Sequence, residues 1–119
     1  MVEQKELLTQ GGIYLAKLDP SKPTEIGKIR PVIILNSQEI LNTVPSIVFI
    51  CPLSSQSQPE FANLHFQLIA RDNLKVISYA LVEHCRAITI TRIIYPRIAQ
   101  ITLPELTTIT HYLHRLITI

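Results

Sequence analysis

Glycine is scarce, with 3 in 119 residues, and none belongs to a glycine-rich loop of the kind that cradles nucleotide phosphates. Cysteine is scarcer still. Cys51 and Cys85 have no second Cys or His at the usual ligand spacing, which argues against a zinc-type site. No apolar run approaches the roughly 20 residues that a membrane helix needs. The stretch from Met1 to Gln10 carries Glu3, Lys5 and Glu6 and lacks the apolar segment of a signal peptide. Charge is also sparse: the net value of +2 points to a nucleic-acid partner only if the basic residues cluster in the fold. His65, His84, His111 and His114 are spread along the chain and form no order suited to a Ser-His-Asp site. No metal or other cofactor is expected.

What remains is a chain rich in apolar residues, at 47%, enough for a folded core. Its length suits one domain, residues 1–119. A single core of that size leaves much surface exposed, so a symmetric homodimer is expected. The absence of leader and span predicts a cytoplasmic protein with no membrane partner. Each cysteine lies in an apolar, strand-like run and reads as a small buried hydrophobe. A disulfide would require close alignment of two strands and an oxidising environment.

Alternation of apolar residues predicts a strand from Ile13 to Leu18, opened by Gly11-Gly12. Asp19 to Lys28 follows as an exposed loop, longer than a hairpin turn requires. Pro31 starts a second strand, Val32 to Leu35, where a proline costs no interior ladder bond. Ile47 to Leu53 reads as a central buried strand that opens into a polar stretch beginning at Ser54. Leu64, Phe66 and Leu68 alternate with His65 and Gln67 in a half-buried strand. Tyr79 to Thr89 is expected to be one strand, with His84, Arg86 and Ile88 on one face. Arg92 to Ile101 is expected to be an edge or bent strand, because of Pro96.

The last segment is helical. Thr102 and Glu105 form a capping box, Pro104 sits in the first turn, and Leu106, Ile109, Leu113 and Leu116 make an apolar stripe. His111 and His114 fall on that helix and read as part of its solvated face. Short strands plus one docked helix predict a mainly β (α+β) fold, a small curled barrel with a C-terminal α-helix.

Three polar residues flank apolar strands. Arg30 follows the long loop, Ser54 ends the most buried strand, and Arg86 lies in a late one. If the ends of strands two and three meet at one rim, a guanidinium beside a hydroxyl offers fixed donors to a phosphate. Such a pair could stabilise the added negative charge when an RNA 2′-hydroxyl attacks its own phosphate. The competing reading makes both arginines ion-pair residues and Ser54 a turn residue.

These residues also carry a resemblance. Gly11-x-Ile13-Tyr14, Leu18-Asp19-Pro20 and Glu25-Ile26-Gly27-Lys28-x-Arg30-Pro31-Val32 resemble the opening signature of the MazF/PemK (Kid) toxins. Cys51-Pro52-Leu53-Ser54-Ser55-Gln56 is similar to the family's second block, and Ser78 to Ile88 to its third. The three blocks stand in order and in register from residue 11 to about 116.

The resemblance implies an SH3-like barrel of the CcdB/PemK type, dimeric, cutting single-stranded mRNA at short motifs as the toxin of a type II toxin–antitoxin module. It places the catalytic pair on Arg30 and Ser54, with Glu25, Lys28, Gln56, His84 and Arg86 as RNA-binding candidates. It implies an acidic antitoxin partner, and a loop from Asp19 to Lys28 that gates the RNA site. Tyr14, Tyr79 and Phe61 are candidate base-stacking residues, although such residues more often belong to the core. Four departures bear first on cleavage specificity. Gly12 stands for an acidic residue, Pro23 for glycine, Ser54 for threonine and His84 for glutamine. A gyrase-binding toxin like CcdB is the alternative, but the terminal Leu116-Ile117-Thr118-Ile119 lacks the aromatic and acidic ending such a toxin uses. A toxin homologue that only binds its antitoxin is a further alternative.

Overall fold

Gly11 takes a φ of 78°, a conformation that costs a side-chain-bearing residue about 1 kcal/mol or more, and the first strand begins immediately after it. Gly12 is glycine for a different reason. A Cβ there would lie 2.8 Å from the Tyr14 ring and 3.0 Å from the Thr9 carbonyl oxygen. The acidic residue expected from the resemblance has no room.

The computed structural model describes residues 6–18 and 28–118. The expected gating loop, apart from Lys28, and the candidate Glu25 lie outside the described residues. In chain order the strands are β1 (Gly12–Lys17), β2 (Ile29–Ile34), β3 (Ile47–Ser54), β4 (His65–Leu68), β5 (Ser78–Leu81), β6 (Arg86–Thr89) and β7 (Ile93–Gln100). A short helix, α1 (Gln38–Leu41), follows β2, and α2 (Leu103–Ile117) follows β7. The strands form one 7-stranded antiparallel sheet in the order β4-β5-β3-β2-β1-β7, with β6 also paired to β3. The mainly β architecture with a C-terminal helix is the expected one. The sheet curls without closing, and β4 and β7 end its path.

Period-2 alternation sends successive side chains to opposite faces of the sheet, and each face has its own core. Tyr14, Val32, Ile34, Val48, Ile50 and Ile88 pack on one face. Ile13, Ile33, Cys51, Leu53, Leu68 and Ala99 pack on the other, beneath Ile109 of α2. The capping box forms as the sequence implies. The Glu105 backbone N–H donates to the Thr102 hydroxyl at 3.2 Å, and the Thr102 N–H donates to the Glu105 carboxylate at 2.8 Å. The same carboxylate accepts from both Arg71 guanidinium nitrogens, at 2.5 and 2.6 Å, which ties the start of α2 to the turn after β4. This ion pair and the bonds at Thr102 hold the Glu105 carboxyl down at about 2.

Four expectations need correction. The second strand starts earlier than Pro31, so Arg30 lies within it. The short α1 was not anticipated. It is capped by the Ser37 hydroxyl, and at one turn it is too brief for a periodic pattern. Leu116 does not complete the helix stripe and is 42% exposed; Tyr112 packs on this core beside Leu113 instead.

The segment from Tyr79 to Thr89 is not one strand. Leu53 faces Ala80, but Ile50 faces Arg86. The chain therefore advances twice as far as β3 over the same stretch, and a 3₁₀ turn at Val82–His84 absorbs the surplus. His84 thus shares no strand face with Arg86, contrary to the alternation expected.

Candidate active site

Lys28 has a φ of 67°, and its carbonyl accepts from the Leu18 N–H at 2.8 Å, closing the base of the loop between β1 and β2. Beyond it, β2 pairs with β1 through Ile29, Arg30 and Pro31, which face Lys17, Ala16 and Leu15. On its other edge the ladder to β3 reaches only Val32, opposite Pro52. Neither Pro31 nor Pro52 has an N–H to extend that ladder, so the two strands part at this point. The gap is a pocket of about 310 Å³ lined by Lys28, Arg30, Ser54, Ser55 and Ser78 among its polar residues.

Arg30 and Ser54 therefore meet at one rim. Both line the pocket, which opens where the strands carrying them diverge past Val32 and Pro52. Ser54 is half-buried, and its hydroxyl oxygen accepts from the Gln56 backbone N–H at 3.1 Å. That bond orients the oxygen and leaves its hydrogen to be donated elsewhere. Ser78 is buried and donates to the Val76 carbonyl at 3.1 Å. Among the described residues, the charged groups lining this pocket are Lys28 and Arg30, and Ile29, Pro31, Leu53 and Leu74 supply its apolar wall. These two cations suit an entering anion. A second cavity of similar size, about 320 Å³, is lined by Leu7, Leu41, Val44, Tyr95 and the acidic Glu6, with no cation among the described residues that line it.

The remaining candidates separate. Lys28 lines the pocket beside Arg30. Gln56 is exposed in the turn after β3. Arg86 opens β6 opposite Ile50, roughly 13 Å along β3 from Ser54 at the usual strand rise, and does not line the pocket. His84 ends the 3₁₀ turn next to it. Tyr14 is fully buried, with its hydroxyl accepting from the Thr9 N–H at 3.2 Å, so it cannot stack on a base. Tyr79 is half-buried and directly opposite Ser54 on β5. Phe61 is 41% exposed and packs against the His65 ring.

Sequence patterns missed the pair formed by His65 and Glu83, which meet at 2.7 Å in a mostly buried contact. They lie far apart in the chain, and only the pairing of β4 with β5 brings them together. Among the described residues no group of three or more His, Cys, Asp or Glu could hold a metal ion. Among them, too, no helix is long and apolar enough to cross a membrane. His111 and His114 are exposed on α2.

Residues 9–117 match the family model of the PemK-like, MazF-like toxins of type II toxin–antitoxin systems. The chain belongs to this toxin family. Its fold is similar to that of a MazF from Deinococcus radiodurans, with a TM-score of 0.79 at 20% identity over 94% of this chain and 97% of that one. It is also similar to the Mycobacterium tuberculosis toxin MazF-mt6, with a TM-score of 0.70 at 17% identity over 87% and 93% of the two chains. A MazE-MazF structure from D. radiodurans matches at a TM-score of 0.70 and 21% identity, over 94% of this chain and 96% of that one. No curated protein matches the sequence. In this PemK/MazF-type toxin, Arg30 and Pro31 line the same pocket as Ser54 and Ser55.

Proposed function

We propose that this toxin is a metal-independent endoribonuclease that cuts single-stranded mRNA at short sequence motifs. The observation that carries the reading is the convergence of Arg30 and Ser54 on one cationic pocket. The RNA 2′-oxygen attacks the adjacent phosphorus and the bond from phosphorus to the 5′-oxygen breaks. A proton is transferred overall from the 2′- to the 5′-oxygen. The products are a 2′,3′-cyclic phosphate and a 5′-hydroxyl end. Arg30 keeps its charge at every relevant pH and offers planar donors to the phosphorane oxygens, while the Ser54 hydroxyl donates a further hydrogen bond. Such donors stabilise the transition state more than the substrate, because negative charge on the equatorial oxygens grows as the bond forms.

Single-stranded RNA fits this chemistry, since the attack requires a 2′-hydroxyl and a splayed backbone. Lys28, Gln56, His84 and Arg86 are carried over as contacts along the strand, with Glu25 in the loop. The toxin acts in the cytoplasm as a homodimer and is restrained by an antitoxin whose acidic segment occupies the cationic pocket. Solved relatives include MazE-MazF structures and a mycobacterial endoribonuclease in complex with its cognate antitoxin.

Purified protein incubated with single-stranded RNA in EDTA tests the reading. Cleavage leaving 5′-hydroxyl ends is expected, and mapping those ends gives the motif. An Arg30→Ala variant that folds and still cuts at the wild-type rate would overturn the assignment.

A further inference from the structure

The two cysteines, far apart in sequence, are neighbours in the sheet. β3 and β6 pair through Ile50 and Arg86, and the next step of that register sets Cys51 against Cys85. Cys85 has left the 3₁₀ turn and has extended backbone, with φ −55° and ψ 136°. Both side chains belong to the core on the α2 face, where the Cys51 thiol lies 3.8 Å from the Pro52 carbonyl oxygen. Directly opposed residues of an antiparallel pair have Cα atoms about 4.5–5.5 Å apart, inside the range of roughly 4.4–6.8 Å that a disulfide spans. Both thiols are free in this structure.

Their surroundings differ in a useful way. Cys51 is fully buried, and its hydrogen bond with Cys85, followed by burial, pushes its thiol well above the ordinary range. Cys85 is only half-buried, so it is the more exposed of the two residues.

We infer that Cys51 and Cys85 are an oxidisable dithiol, with Cys85 the site that reacts with a hydroperoxide and Cys51 the thiol that resolves it. The Cys85 sulfur attacks the peroxide, whose O–O bond breaks to leave an alcohol or water and a Cys85 sulfenic acid. The Cys51 thiol then attacks that sulfur, the S–O bond breaks, and one water leaves as the disulfide closes. Two electrons pass from the thiols to the peroxide. The bond ties β3, which ends in Ser54, to the segment that carries His84 and Arg86.

The full chain, reduced, desalted and treated with hydrogen peroxide, is alkylated under denaturing conditions and weighed intact. The expected product is monomeric, lighter by two hydrogens and free of alkyl groups, and reductant restores two alkylation sites. Cys85→Ser is expected to keep Cys51 alkylatable after peroxide. Cys51→Ala is expected to stop at a sulfenic acid that dimedone captures. Cys51→Ser serves the same purpose should the alanine variant fail to fold. Retention of both alkylatable thiols, addition of oxygen without a disulfide, or a disulfide-linked dimer would each overturn the inference. The readout is mass and needs no RNA, so its failure is separate from failure of the ribonuclease reading.

Discussion

The face of the sheet under α2 and the rim between β2 and β3 are built from similar residues to opposite ends. Under α2 the polar groups find partners within the protein. Arg71 binds Glu105, Glu105 binds the Thr102 N–H, and the Thr102 hydroxyl binds back, above a core closed by Ile109. At the rim, two prolines end a ladder early, and the residues beyond them line an open pocket. Arg71 thus holds a helix, while Arg30 lines an open pocket. The contrast separates stability from chemistry and can be tested one side at a time.

The largest expected effect is at the rim. Arg30→Ala should lower RNA cleavage by about 10³-fold, the scale of losing one transition-state donor, while the unfolding free energy measured in urea stays within about 0.5 kcal/mol of wild type. A loss of stability matching the loss of activity would instead make Arg30 a structural residue. On the other face, Ile109→Ala should cost about 2–5 kcal/mol in denaturant unfolding, with cleavage per folded molecule unchanged. A selective loss of cleavage would break the separation.

Ser54 sharpens the comparison at smaller scale. Ser54→Ala should reduce cleavage by about 10²-fold, whereas Ser54→Thr keeps the hydroxyl and should stay within a few-fold of wild type. The helix cap gives a pH-dependent counterpart. The Glu105 carboxyl lies at about 2 in the folded chain against an ordinary value of 4.5. Its contribution is therefore present above about pH 4.5 and fades as pH falls toward 2. Glu105→Gln should flatten the acid limb of a stability–pH profile, and an unchanged limb would refute the ion pair's role. Thr102→Ala, which removes only the cap hydroxyl, should cost about 1 kcal/mol in thermal unfolding.

Much of this was legible along the chain wherever the interaction is local. Alternation marked the strands at Ile13 and Leu64, a continuous apolar run marked the one at Ile47, and the Thr102-to-Glu105 spacing marked the start of α2, because each depends on residues close in the chain. Arg30 and Ser54 could be singled out because each flanks an apolar run, and the family blocks fall on the same positions. The single strand drawn through Tyr79 to Thr89 failed because nothing in that run announces two registers against β3. Tyr14 looked available for stacking because a strand tyrosine reads alike whether its outer face meets solvent or Val32 and Ile50.

By itself the sequence determined the local conformations: which segments are extended, where the helix starts, and where prolines forbid a ladder bond. Those preferences are set by backbone sterics and near-neighbour hydrogen bonds. Only the tertiary structure decided that Arg30 and Ser54 line one pocket, that Cys51 and Cys85 share one core, and that Glu83 reaches His65. Pairing register is a long-range choice, made by the two cores filling both faces of the sheet at once, and a slip of one residue would turn every one of those side chains to the other side.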